Sequence, residues 1–209
     1  MNTLEKIKIE NFFEFKKKFK EISFVGNLIF WIANTKKGDS YRNSIFVRPF
    51  GRKDAKAQKL IGSEFHIKSF FHGYGGKSYQ CLEIDKKIYL IWFDQLSKSL
   101  WFQMFETNIS NKQFDIKYLV EINKPRKLTD LIKGNIDSCF GIFYKKFLIG
   151  LIELKNKDYL FSLDLSQINQ ELKIIRECDN FAGYLSSDSS SNFLSWLEWS
   201  DPYMPWQKN

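Results

Sequence analysis

The stretch Ser78-Tyr-Gln-Cys-Leu-Glu-Ile-Asp-Lys-Lys-Ile-Tyr-Leu-Ile-Trp-Phe-Asp-Gln-Leu-Ser-Lys-Ser-Leu-Trp-Phe-Gln-Met-Phe105 decides the fold. It holds three short apolar runs, Ser78 to Ile84, Ile88 to Phe93 and Leu100 to Phe105, parted by turn chemistry at Asp85-Lys86-Lys87 and around Asp94-Gln95. Runs of this length, rich in aromatic and β-branched residues and closed off by Asp, Lys and Ser, read as strands joined by hairpins. A late pair, Lys127-Leu128, supplies an edge strand to the same unit.

The same layout appears on both sides. Upstream, Ile22 to Ile32 divides into two strands around Gly26-Asn27, residues that tolerate positive φ. A loop, Asn34 to Asn43, leads to the strand Ser44 to Arg48, and Leu60-Ile61-Gly62 closes that unit. Downstream come Ser138 to Tyr144, a turn at Lys145-Lys146, Phe147 to Leu154, a turn at Lys155-Asn-Lys157, Tyr159 to Leu163, and Leu172 to Ile175. A further unit begins with Phe181 to Leu185, turns across Ser186 to Ser191, and continues from Phe193 to Trp199.

Four-stranded units recurring at roughly 45 to 60 residues suggest blades around a central channel. A sandwich or open barrel uses the same strands but does not call for one layout repeated in series. The expected fold class is therefore all-β: an incomplete β-propeller of about three and a half four-stranded blades, with a short N-terminal helix. The expected divisions are a basic segment over 1–20 and a partial propeller over 21–209, its blades at approximately 21–62, 78–129, 138–176 and 181–209.

Composition supports strands. Among 209 residues there are 21 Phe, 9 Tyr and 6 Trp against 11 Gly and 4 Pro, and flat or branched side chains fit a pleated surface. The net charge of +8 is localised: residues 1–60 carry 14 Lys and Arg against 6 Asp and Glu, and the remainder carries 18 of each. Lys16-Lys17-Lys18-Phe19-Lys20 lies in a stretch where Ile9, Phe12, Phe13, Phe15 and Phe19 can line one face of a short helix. Its lysines read as a solvated face. A nucleic-acid binder is the lesser alternative, and it predicts salt-sensitive retention that is lost when residues 1–20 are deleted. The start, Met1-Asn-Thr-Leu-Glu-Lys, has no apolar stretch of signal-peptide kind, and no run of about 18 uncharged apolar residues occurs. The expected location is the cytoplasm, without membrane contact. Cys81, Cys139 and Cys178 are odd in number and far apart, which suits buried thiols better than a disulfide framework or a metal clip.

Two segments carry a resemblance. Phe71-His-Gly-Tyr-Gly-Gly-Lys-Ser-Tyr79 resembles a His-Glu-Tyr-Gly-Gly-Gly-x-Tyr segment, with His72, Tyr74, Gly75, Gly76 and Tyr79 matching. Leu185-Ser-Ser-Asp-Ser-Ser-Ser-Asn-Phe-Leu-Ser-Trp-Leu-Glu-Trp-Ser-Asp-Pro-Tyr-Met-Pro-Trp206 is similar to a Leu-Ser-Pro-Asp-Gly hairpin followed by Ala-Trp-Leu-x-Trp-Asp-His-Pro-x-Met-Pro-Trp. Both patterns belong to the N-terminal propeller of prolyl-oligopeptidase-like (S9) serine peptidases, the group of dipeptidyl aminopeptidases and acylaminoacyl peptidases. Ile29-Phe-Trp31, Ile45-Phe-Val-Arg48, Asp94-Gln95 and Pro125-Arg-Lys-Leu-Thr129 add supporting matches, so the resemblance covers the chain from about residue 20. There are departures. Gly73 stands where the family has glutamate, Ser187-Asp188-Ser189 replaces Pro-Asp-Gly, and Ser200-Asp201-Pro202 lacks the histidine. The chain reaches Asn209 within a blade, whereas the family continues through further blades into an α/β-hydrolase domain.

The chemistry of a serine hydrolase is not encoded. No Gly-x-Ser-x-Gly pentapeptide occurs; Gly76-Lys-Ser-Tyr-Gln80 fails at its last position. The same Gly-Lys-Ser fails as a phosphate loop, since Phe71 occupies the place of the first glycine and a strand follows. His66 and His72 have no cysteine nearby, and Asp85, Asp94 and Asp188 cap separate turns, so neither metal nor cofactor is expected.

What remains is the loop His72, Gly73, Tyr74, Gly75 and Gly76, read as the mouth of a channel. The aromatic residues Trp196, Trp199 and Trp206 are candidates for ligand contact, part of them packing between blades. The expected role is that of a non-catalytic propeller fragment, structural or substrate-gating. Its partner would be a separate chain carrying the remaining blades and the hydrolase domain, with a peptide substrate only in that assembly. Alternatively the fragment is an interaction module that self-associates through open blade edges.

Overall fold

The computed structural model describes residues 19–52, 55–73, 75–107, 118–128, 137–144, 147–154, 157–164, 172–188, 193–204 and 206–207, the side chains of 137–144 excepted. The expected N-terminal helix up to residue 18, Tyr74 and the turn at Lys145-Lys146 lie outside them, as does the side chain of Cys139.

Fifteen strands are described, and they form four antiparallel sheets in chain order. Sheet one holds β1 (Lys20–Val25), β2 (Leu28–Lys37), β3 (Ser40–Pro49) and β4 (Gln58–Lys59). Sheet two holds β5 (Tyr79–Ile84), β6 (Lys87–Asp94) and β7 (Ser99–Thr107), with β8 (Leu119–Glu121) and β9 (Arg126–Lys127) sharing the outer edge of β7. Sheet three is β10 (Asp137–Tyr144), β11 (Phe147–Leu154), β12 (Lys157–Asp164) and β13 (Lys173–Glu177). Sheet four is the hairpin β14 (Phe181–Asp188) and β15 (Phe193–Trp199).

The turns follow from local chemistry. Gly26 closes β1 onto β2 at φ 53°, and Asp85-Lys86 closes β5 onto β6 at φ 51° and 62°, the left-handed backbone that short hairpins need. The loop expected over Asn34 to Asn43 is instead strand. β2 and β3 stay paired from Leu28↔Pro49 to Lys37↔Ser40, and only Gly38-Asp39 turns. These strand ends are polar because they project into solvent, so their ladder lacks an apolar signature. The edge of sheet two also differs from the expectation of one late strand at Lys127-Leu128. β8 pairs with Phe105 to Thr107, and β9 pairs with Trp101 and Phe102.

Each sheet packs face to face on the next. Leu28, Phe30, Ile32, Ile45 and Val47 of sheet one meet Tyr79, Ile88, Leu90 and Trp92 of sheet two. From the opposite face of sheet two, Ile91, Phe93, Leu100 and Phe102 meet Leu148, Ile152, Phe161 and Leu163 of sheet three. Ile149, Leu151 and Leu160 then meet Ala182, Leu185, Leu194 and Trp196 of sheet four. A strand covered on both faces needs apolar residues at successive positions, and Ile88 to Phe93 satisfies this with only Tyr89 less than fully buried.

The first strands of successive sheets are also neighbours: β1 lies beside β5, β5 beside β10, and β10 beside β14. At the outer side the Gln58 amide spans two sheets, donating to the Leu119 carbonyl at 2.7 Å and accepting from the Leu119 N–H at 3.1 Å. It thereby copies one rung of a strand ladder. Among the described residues no helix is long and apolar enough to cross a membrane.

Candidate functional site: the His72 loop and its aromatic neighbours

The connection from sheet one to sheet two runs through Ser69 to Ser78 and touches all four sheets. Its turn is set by the backbone. Phe71–Gly73 forms a single 3-10 turn in which His72 is left-handed (φ 52°, ψ 24°). The Gly73 N–H donates to the Phe70 carbonyl at 2.8 Å, and the Gly75 N–H to the Phe71 carbonyl at 3.0 Å. Gly75 is required twice over: its φ is 88°, and a Cβ there would meet the Ser69 carbonyl oxygen at 3.1 Å. Ser69 Oγ accepts from the N–H groups of Phe71 and Gly76, each at 3.3 Å, and fastens both ends of the turn.

At one end of the loop stands Glu21 of β1. Its carboxylate accepts from the Ser78 N–H and the Ser78 hydroxyl, both at 2.6 Å, while the Tyr79 hydroxyl donates to the Glu21 carbonyl oxygen at 2.6 Å. Burial raises the Glu21 pKa above the usual carboxylate range, and the Ser78 hydrogen bonds offset only part of that rise. A carboxyl whose folded pKa is raised contributes most to stability when protonated, below its unfolded pKa. That contribution is lost as pH rises through the folded value. Glu21→Gln keeps an acceptor for Ser78 and cannot ionise. The urea midpoint of the parent is therefore expected to fall from about pH 4.5 upward relative to the variant; parallel midpoints across that range would refute the assignment.

At the other end stands Asp158, at the start of β12 and 1% exposed. Its Oδ2 is 2.6 Å from His72 Nε2 and accepts from the Ala182 N–H at 2.6 Å. The Asp158 carbonyl oxygen accepts from the Cys178 N–H at 2.9 Å, and Glu153 of β11 accepts from the His72 N–H at 3.0 Å. One buried carboxylate thus ties the loop to sheets three and four.

Around the imidazole lies an aromatic cup. Phe71 is 3.9 Å away between ring centroids; Phe181 and Trp199 meet the imidazole edge-on at 5.2 and 5.8 Å and stack on one another at 6.0 Å. Tyr184, 67% exposed, stands on the solvent side of the group, 6.4 Å from Trp199.

Of the residues singled out in the sequence, the structure brings His72, Gly73, Gly75 and Gly76 together with Trp199. Trp196 packs instead with Leu194 against sheet three, its indole N–H donating to Glu198 at 2.7 Å. Trp206 is 72% exposed. His66 does not join His72: its backbone N–H donates to Asp94 at 2.7 Å, and its buried Nδ1 has no partner among the described residues. Nothing in the local sequence marks Asp158 or Glu153, carboxylates whose partner His72 lies 86 and 81 positions away, and the same holds for Phe181 and Tyr184, which meet the loop only through the packing of sheet four.

Cys81 and Cys178 are buried free thiols, their pKa values pushed up by burial to about 12 and about 11. Thiols so held are poor nucleophiles. Among the described residues no group of three or more His, Cys, Asp or Glu is arranged to hold a metal ion.

Comparison with solved structures gives the fold a context. The chain superposes on a puromycin hydrolase with a TM-score of 0.68 at 15% identity, and on a puromycin hydrolase mutant complexed with PGG with a TM-score of 0.70 at 15% identity. It superposes on a Mycobacterium tuberculosis puromycin-hydrolyzing peptidase with a TM-score of 0.65 at 13% identity. Each match covers 91% of this chain and only 28–29% of the other protein. The fold is therefore that of one portion of these peptidases, in keeping with the resemblance carried by the His72 and Trp196 motifs. No protein-family model matches the sequence, and no curated protein matches it significantly.

Proposed function

We propose that this chain is a non-catalytic partial β-propeller, a run of successive blades that walls and gates access to a peptidase centre lying elsewhere. The observation that carries the reading is the fold likeness itself, which spans nearly all of this chain while engaging less than a third of each puromycin-hydrolysing protein. Face-to-face sheets whose first strands follow one another support blades set about a common axis.

In this reading the loop His72, Gly73, Tyr74, Gly75 and Gly76 shapes the channel mouth, and Trp199, Phe181 and Tyr184 offer flat surfaces to a passing peptide. Aromatic faces grip apolar side chains and peptide planes without demanding one sequence. Asp158 and Glu21 hold the loop from both ends and leave the peptide-facing surface to the rings.

The purified 209-residue chain is expected to leave puromycin and aminoacyl or peptidyl esters unhydrolysed. Turnover that survives further purification and tracks the protein peak would overturn the proposal.

A further inference from the structure

The two end faces of the stack differ in shape and charge in a complementary way. On sheet one, the face turned away from sheet two carries Ile29, Trp31, Phe46 and Arg48, with Ile22 and Phe19 beside them. Together they line a cavity of about 380 Å³ that is open to solvent on one side and mainly apolar. Ile22 and the adjacent Phe24 are both more than half exposed.

On sheet four, Leu194 and Trp196 point toward sheet three. The alternate positions Phe193 and Leu197 therefore point away from it. Phe193 is 74% exposed and Leu197 50%. One end of the stack is a hole, the other a set of protruding apolar side chains.

Charge separates the same ends. Arg48 stands in the cavity wall at the sheet-one end, whereas at the other end Asp188 lies in register with Phe193 on the outward face of sheet four. Like ends repel and unlike ends attract.

We infer that two copies of this chain pair head to tail, the Phe193 and Leu197 face of each seated on the Ile22, Ile29 and Phe46 face of the other. Both contacts form at once in such a pair, so it closes by a two-fold axis and leaves neither apolar face in water. A single unlike-end contact that did not close would instead propagate as a filament. This inference rests on the propeller reading above. Its test reads mass rather than hydrolysis, so either can fail without the other.

Light scattering on the purified chain at micromolar concentration is expected to give twice the 24.9 kDa of one chain. A monomer, or a ladder of open polymers, overturns the inference. Ile22→Glu and Phe193→Lys replace exposed residues on opposite faces. Each variant alone damages both contacts of its own dimer and is expected to run as a folded monomer by circular dichroism. Mixed in equal amounts they leave one contact intact and create a Glu–Lys pair in the other, so the dimer mass is expected to return. Should either variant lose its β-sheet signal, Phe24→Glu and Leu197→Lys repeat the test on the same two faces. A dimer that survives Phe193→Lys, or a mixture that stays monomeric, refutes head-to-tail pairing.

Discussion

Replacing Asp158 by alanine is expected to lower the unfolding temperature by roughly 5 to 15 °C, as for loss of about 3 kcal/mol or more. The carboxylate is 1% exposed and accepts from both His72 and the Ala182 N–H. Without it a buried N–H and an imidazole lose their partner together, and an unsatisfied buried donor bears its full desolvation cost. His72→Asn should cost less. Asparagine tolerates the left-handed backbone at φ 52°, and Asp158 keeps its bond to Ala182. Thermal unfolding followed by tryptophan fluorescence reads both variants, because Trp199 lies 5.8 Å from the imidazole. An Asp158→Ala protein that melts with the parent would show that the loop is not held from this side.

The second large effect concerns the core between sheets one and two. Trp92 is fully buried, edge-on to Phe65 at 5.4 Å, and its indole N–H has no partner among the described residues. Trp92→Ala therefore gives up packing and leaves a cavity without breaking a hydrogen bond, at a cost of about 3 to 5 kcal/mol. Trp92→Phe keeps most of the ring volume and removes the orphaned donor, so its loss should be well under half of that. In urea the alanine midpoint is expected to fall by roughly 1 to 2 M with the slope unchanged. Equal midpoints for the alanine and phenylalanine variants would mean that the two sheets do not share this core.

The relation between sequence and fold is uneven, and particular residues show why. Hairpins at Gly26-Asn27 and Asp85-Lys86 are legible because backbone with positive φ needs residues that tolerate it. The run Ile88 to Phe93 marks a strand covered on both faces. The polar ladder from Asn34 to Asn43 gives no such sign, since solvent-facing rungs place no apolar demand on the side chains. Division of the outer edge of sheet two between Leu119–Glu121 and Arg126–Lys127 was equally hidden, because two- and three-residue edge strands carry too few side chains to show a period.

At the site, the glycines of the His72 loop are readable because their backbone has a steric requirement. Asp158 and Glu153 are not, because their role is fixed only when sheet three comes to lie against the loop. Gly73 stands where the resembled motif places a glutamate, yet the loop does not lack carboxylates. Glu153 and Asp158 reach it from the neighbouring sheet, one at the His72 backbone and one at its ring.

Whether these sheets act without chemistry of their own is tested most directly by an active-site serine phosphonate, with the intact mass of the 209-residue chain read before and after exposure. The expected result is an unchanged mass after prolonged incubation with excess reagent. A stoichiometric adduct on one serine, lost when the protein is unfolded beforehand, would place a nucleophile within this chain and contradict the non-catalytic reading.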